Sequence, residues 1–195
     1  MEAQMKRLIA VSLLFFGLNC PVYGQAAQGK LVLHPTVVVH SCLYGAAWSI
    51  TNIRQDLPDN TNLMVGLGCR GAGKWVEVML QRQLSGDGQH KWFADFRTSA
   101  AVGRCGAFLE LAPFLTGRGL YNYTSLECKM SPRLKAGAET ENIWRPGLPA
   151  ALGAGPRLTV VLDPNPKRTL AVSAAYQLRN QDDVVRVYLV FHPQF

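Results

Sequence analysis

Four histidines, His34, His40, His90 and His192, are the first candidates for chemistry. His34 and His40 lie six residues apart in one apolar stretch, where strand alternation would put both on a single face. A metal site needs a third ligand at chelating spacing, and neither the histidines nor the cysteines supply it. The plain reading is solvated or hydrogen-bonded histidine, with no metal and no cofactor. Paired carboxylates can perform acid–base work on a glycosidic bond. Glu110 with Glu127 and Asp87 with Asp95 are the available pairs, the second more simply a matter of turn and surface chemistry. No G-x-S-x-G, H-E-x-x-H or Walker pattern occurs. Gly71-Ala72-Gly73-Lys74 lacks the second half of a phosphate loop and leads into a strand. No catalytic residue is assigned, and the chain is not expected to be an enzyme.

Binding is the stronger expectation. Trp48, Trp75 and Trp92 read as core residues, since aromatic side chains bury large areas. Trp144 differs, because it stands beside Arg145 in a segment rich in Pro and Gly. Trp144 and Arg145 are therefore the candidate ligand-binding pair. The formal net charge is +7, yet no run of four Lys or Arg occurs, so nucleic acid is not an expected partner.

The N-terminus reads as an export signal spanning 1–24. Lys6 and Arg7 precede the apolar run Leu8–Leu18, which is too short for a membrane span, and cleavage is expected after Gly24. That cut removes Cys20 and leaves an even four cysteines, Cys42, Cys69, Cys105 and Cys128, in an oxidising compartment. Four cysteines allow three connectivities. Pairing of sequence neighbours, Cys42 with Cys69 and Cys105 with Cys128, closes the shortest loops and is the expected one.

The elements that must position these residues are strands. The runs 74–84 and 90–96 flank the turn Ser85-Gly86-Asp87-Gly88 and predict a β-hairpin. Pro35 breaks a first strand between Leu31-Val32-Leu33 and Val37-Val38-Val39. The segment 98–117 fits either an interrupted helix or two strands around Cys105. The segment 131–156 reads as a long loop, with room for a short helix over 134–140. Three strands close the chain, over 157–162, 170–178 and 184–191. About nine short strands with turns between them predict an all-β antiparallel sandwich or barrel in a single domain, 25–195.

The stretch Gly29-Lys30-Leu31-Val32-Leu33-His34-Pro35-Thr36-Val37-Val38-Val39-His40-Ser41-Cys42 combines a glycine, alternating apolar residues, a break, valines and a cysteine. It resembles the first strand of chaperone–usher pilus subunits of Gram-negative bacteria. The resemblance implies an immunoglobulin-like β-sandwich lacking its last strand and completed by strand addition. It also implies that Cys69 ties the first strand to its neighbour. Val184, Val185, Val187, Leu189 and Phe191 would border the open acceptor groove, and the carboxylate of Phe195 would anchor a periplasmic chaperone. Further partners would be the outer-membrane usher, a neighbouring subunit and a host-surface receptor or glycan. Only Gln25-Ala26-Ala27-Gln28 precede Gly29, too few to donate a strand, so the resemblance implies a minor or tip subunit. Such a subunit passes through the periplasm to the cell surface and acts in adhesion. The alternative is a self-contained secreted or periplasmic binding or inhibitor protein.

Overall fold

A computed structural model of the chain describes residues 26–54, 60–86, 88, 90–165, 167–180 and 182–195. The expected signal segment and Asp87 lie outside the described residues. The described chain is all-β. Its strands are β1 (Ala26–Leu33), β2 (Thr36–His40), β3 (Leu43–Arg54), β4 (Asn60–Gly71), β5 (Lys74–Ser85) and β6 (His90–Val102). They continue as β7 (Cys105–Pro113), β8 (Leu120–Lys129), β9 (Leu134–Trp144), β10 (Ala151–Asp163), β11 (Arg168–Arg179) and β12 (Val184–Pro193).

From β2 to β12 each strand pairs antiparallel with the next in sequence. The sheet then closes on itself, because β1 pairs in parallel with β12 and antiparallel with β3. Leu33 faces Ser49 and Thr36 faces Ala46, so β1 and β2 follow β3 in one unbroken register. They are a single strand interrupted at Pro35, which has no N–H to give to a ladder. The result is a closed barrel of eleven strands, not the two packed sheets of the expected immunoglobulin-like sandwich. Closure removes the sheet edges that a sandwich leaves open.

Closure also corrects the expected acceptor groove. β12 is hydrogen-bonded along both sides, to β1 and to β11, so it borders no empty strand position. Val184 and Val187 are buried, while Val185, Leu189 and Phe191 are half-buried in the wall. The backbone of Phe195 is engaged with β2: its N–H donates to the Thr36 carbonyl at 2.8 Å and its own carbonyl accepts from Val38.

Two ambiguous segments resolve as strands. Residues 98–117 hold the end of β6 and all of β7. The expected 131–156 loop is a hairpin of β9 and β10, joined by a connection over 145–150. Cys105 and Cys128 face each other across β7 and β8 and form the expected disulfide. Closing that loop stabilises by about 3 kcal/mol through chain entropy. Cys42 and Cys69 are neighbours at the β3–β4 end but are free thiols, so the second expected bridge is not formed.

The sense of the wall is the decisive feature. Along β5, Val76, Val78 and Leu80 point outward and are exposed, whereas Glu77, Met79 and Gln81 point inward and are buried. Val78 is 63% exposed and Glu77 is 0%. Register carries the same parity around the barrel. Leu67, Val78, Phe96 and Leu111 lie side by side on the outer face, while Asp95, Arg97, Glu110, Glu139, Glu141 and Arg186 are buried inside.

Candidate functional site: a divided lumen

Alternation places every second side chain of each strand in the lumen. Because so many of these are charged, the interior must satisfy them or lose stability. It pairs carboxylates with cations in a lattice across the middle and lower part of the barrel, the lower rim being the one that holds the connections 114–119, 145–150 and 180–183. Glu141 on β9 accepts hydrogen bonds from Lys30 Nζ at 3.2 Å, from Tyr121 at 2.9 Å, and from Arg179 and Arg186. Glu139, two residues earlier on the same face, accepts from Tyr123, Arg157, Gln177 and Tyr188 at 2.5–2.9 Å. Arg97 on β6 donates to both oxygens of Asp95 at 3.0 Å and to Glu110 at 2.9 Å. Each carboxylate thus has a guanidinium or ammonium partner, in the strong, charge-assisted form of the hydrogen bond.

Above this lattice lies a cavity of about 480 Å³, toward the rim that holds the β4–β5 turn. A smaller one of about 180 Å³ lies toward the lower rim. Lys30, Ile50, Glu110 and Tyr121 touch both cavities and form the partition between them.

The upper cavity contains a second arrangement, built on different principles. Glu77 is buried here and meets neutral donors. Trp48 Nε1 donates to Oε2 at 2.7 Å, and the Tyr44 hydroxyl donates to Oε1 at 2.8 Å. His34 Nε2 lies 2.9 Å from the same Oε1, and His34 Nδ1 lies 2.9 Å from Nδ1 of His192. The His34 ring stacks on Trp48 with centroids 3.7 Å apart, and His192 meets both rings edge-on. Four strands converge to build this cluster: His34 follows β1, Trp48 and Tyr44 lie on β3, Glu77 on β5 and His192 on β12. Gly68 on β4 makes the convergence fit, because a Cβ there would lie 2.4 Å from the Tyr44 ring and 2.8 Å from Glu77. Arg70, Lys135 and the rings of Trp75, Phe108 and Tyr123 line the rest of the cavity.

The candidates from sequence are redistributed by this geometry. His34 shares its site with His192, not with His40. Glu110 and Glu127 both reach the upper cavity, but each is paired with an arginine, Arg97 and Arg157, instead of with the other. Asp95, taken for surface chemistry, is 1% exposed because β6 turns it into the lumen. Trp48 and Trp75 are interior, whereas Trp92 and Trp144 are exposed. Trp144 and Arg145 do not form one site: Trp144 faces outward at the end of β9, and Arg145 lies over the Phe114 ring beside the lower cavity. The turn over 71–74 is a tight link into β5, with positive φ at Ala72 and Gly73.

Sequence reasoning missed Glu77 and the His34–His192 pairing. Their one sequence signal is Gly66-Leu67-Gly68, small residues at alternate positions that mark a crowded inner face. Comparison with family models, characterised proteins and solved structures finds no match.

Proposed function

We propose that this chain is an integral β-barrel protein of a membrane, with a lumen closed by ion pairs and a ligand cavity opening toward one rim. The observation that carries this reading is the parity of the wall. Outward positions on neighbouring strands are Leu63, Val65 and Leu67 on β4, Val76, Val78 and Leu80 on β5, and Ala94 and Phe96 on β6. In water these would form an apolar patch well beyond what a soluble monomer exposes. In a bilayer they are the correct outer face, and a closed sheet satisfies every backbone group there. The outward charges on β5 stand at its two ends. Lys74 begins the strand, and Arg82 lies over the Trp92 ring at 5.4 Å, an interfacial pairing of cation and aromatic. No helix among the described residues is long and apolar enough to cross a membrane.

The test is insertion of the refolded full chain into phosphatidylcholine vesicles. Val78→Arg should destabilise it by about 2–4 kcal/mol in urea titrations, because this position lies mid-belt. Bromine-labelled acyl chains should quench Trp92 and Trp144 more than Trp48 and Trp75. Equal quenching of all four, or a cooperative monomer in buffer without detergent, would overturn the reading in favour of a self-contained soluble binding protein.

One observation favours a second reading. β1 runs parallel to β12, the place a complementing strand would take beside the last strand of a pilus subunit. On that reading the chain completes itself and acts at a fibre tip. It predicts that a chain lacking residues 26–33 recovers its fold when a peptide of that sequence is added, and that it partitions away from vesicles.

A further inference from the structure

We propose that the upper cavity is a hydrolytic site in which His192 is the general base and His34 and Glu77 are its positioning residues. The substrate class is a small carboxylic ester with an apolar or aromatic part and an anionic group.

Hydrogen-bond logic fixes the protons. The indole N–H of Trp48 can only donate, and Glu77 also accepts from the Tyr44 hydroxyl, so Glu77 is an acceptor throughout. His34 must then donate from Nε2 to Glu77, which leaves Nδ1 of the neutral ring as an acceptor. The atom 2.9 Å from it is Nδ1 of His192, which must therefore carry the proton between them. Nε2 of His192 is left with a bare lone pair, and it makes no hydrogen bond among the described residues. A carboxylate thus acts through one imidazole to set the tautomer of a second, the orienting logic of a base held by a third group. The stacking of His34 on Trp48 fixes its ring plane, and Gly68 gives Tyr44 the room to hold Glu77 from the other side.

The cavity supplies the rest. Its volume of about 480 Å³ suits a small ligand. The rings of Trp75 and Phe108, with centroids 5.8 Å apart, offer an apolar wall. Arg70 and Lys135 carry positive charge on the same lining as His192, where an anionic group or a developing oxyanion would be favoured. In the step itself, His192 Nε2 takes a proton from water while the water oxygen bonds to the ester carbon. The carbon–alkoxy bond then breaks, and the proton passes from Nε2 to the leaving oxygen. Water is the only co-reactant.

The experiment uses the full chain, folded in detergent micelles, with 4-acetoxybenzoate, an aryl ester that carries a carboxylate, as the probe. Hydrolysis should exceed the rate in buffer with micelles alone and should fall about 10²–10⁴-fold in His192→Gln. Because burial holds the His192 imidazole down to about 3, the rate should stay level from neutral pH to about pH 4. Glu77→Gln should lower the rate less and displace the pH–rate profile, which loss of packing alone would not do. A second readout does not depend on activity: nitrogen shifts of labelled histidine should show the Nδ1–H tautomer at His192 and the Nε2–H tautomer at His34 in the unaltered protein. Turnover no faster than in buffer with micelles alone, turnover unchanged in His192→Gln, or the opposite tautomers would each overturn the proposal.

Discussion

Glu77 and Glu141 occupy the same kind of position, inward on a strand and sealed from water, but their neighbours differ. Glu141 meets three cations, Lys30, Arg179 and Arg186. Glu77 meets a phenol, an indole and a neutral imidazole. A carboxylate locked between fixed cations holds strands together and has no freedom to exchange a proton with its partners. A carboxylate held by neutral donors, one of which can itself titrate, is able to pass its influence to a second group. The lower lumen is thus built as a brace, and the upper lumen as a site.

The sharpest way to break this contrast is to remove the charge from the brace. Glu141→Gln leaves Arg186, Arg179 and Lys30 without their shared anion in a buried setting. Loss of one partner in such a cluster costs about 3–5 kcal/mol, read as a lower urea midpoint by tryptophan fluorescence. Glu77→Gln keeps the shape and strands no guanidinium, so its cost should be that of weakened hydrogen bonds, about 1–3 kcal/mol. Equal losses for the two variants would erase the distinction between brace and site.

That distinction was only half legible in the sequence. Period two is visible in Trp75-Val76-Glu77-Val78-Met79-Leu80-Gln81, and the hairpin around Ser85–Gly88 was legible from its turn residues. Alternation alone does not say which face is inside, because a water-soluble sheet and an inside-out barrel share one pattern. The ordinary expectation puts Val76, Val78 and Leu80 in a core, and the structure puts Glu77 there instead. The sense is carried by charges spaced two apart in mid-strand, Asp95 with Arg97 and Glu139 with Glu141, a pairing that a solvated face has no need of. The hairpin of β9 and β10 was hidden for another reason. Its Gly137, Gly153, Gly155 and Pro156 read as loop residues, yet a Cβ at Gly155 would lie 1.7 Å from the Tyr176 carbonyl. Those glycines mark close strand approach, not irregular backbone. The His34–His192 pairing spans 158 positions and exists only because the barrel closes β1 onto β12.

A smaller perturbation sharpens the comparison from the side of the site. Gly68→Ala adds one methyl group where the Tyr44 ring and Glu77 already lie in contact. Overpacking of this kind costs about 1–3 kcal/mol. It should also displace the Tyr44 hydroxyl from Glu77 while leaving the Glu141 cluster intact. The expected signature is a change in the His34 and His192 ring signals by NMR with unchanged signals for Arg179 and Arg186. A response that spreads to both groups would mean that the two halves of the lumen behave as one cooperative unit.

The smallest effect lies at the lower rim, where a carboxylate outside the lumen offers a control for both interior ones. Asp183 accepts a hydrogen bond from the Tyr176 hydroxyl at 2.7 Å and another from the Arg179 backbone N–H at 3.1 Å. Both favour the ionised form, the tyrosine most, so its titration is held below the ordinary value of 3.8. The sign follows from linkage. A depressed carboxylate stabilises the fold above the unfolded-state value, and that stabilisation is lost as pH falls through the folded one. The β11–β12 turn should therefore loosen only in strong acid, through a contact that is solvent-exposed and weakly stabilising. The amide proton of Arg179 should titrate with a midpoint below 3.8 and stop titrating in Asp183→Asn. A midpoint at or above that value would show that the rim clamp does not hold Asp183 ionised. The comparison between lumen and rim would then have to rest on the buried carboxylates alone.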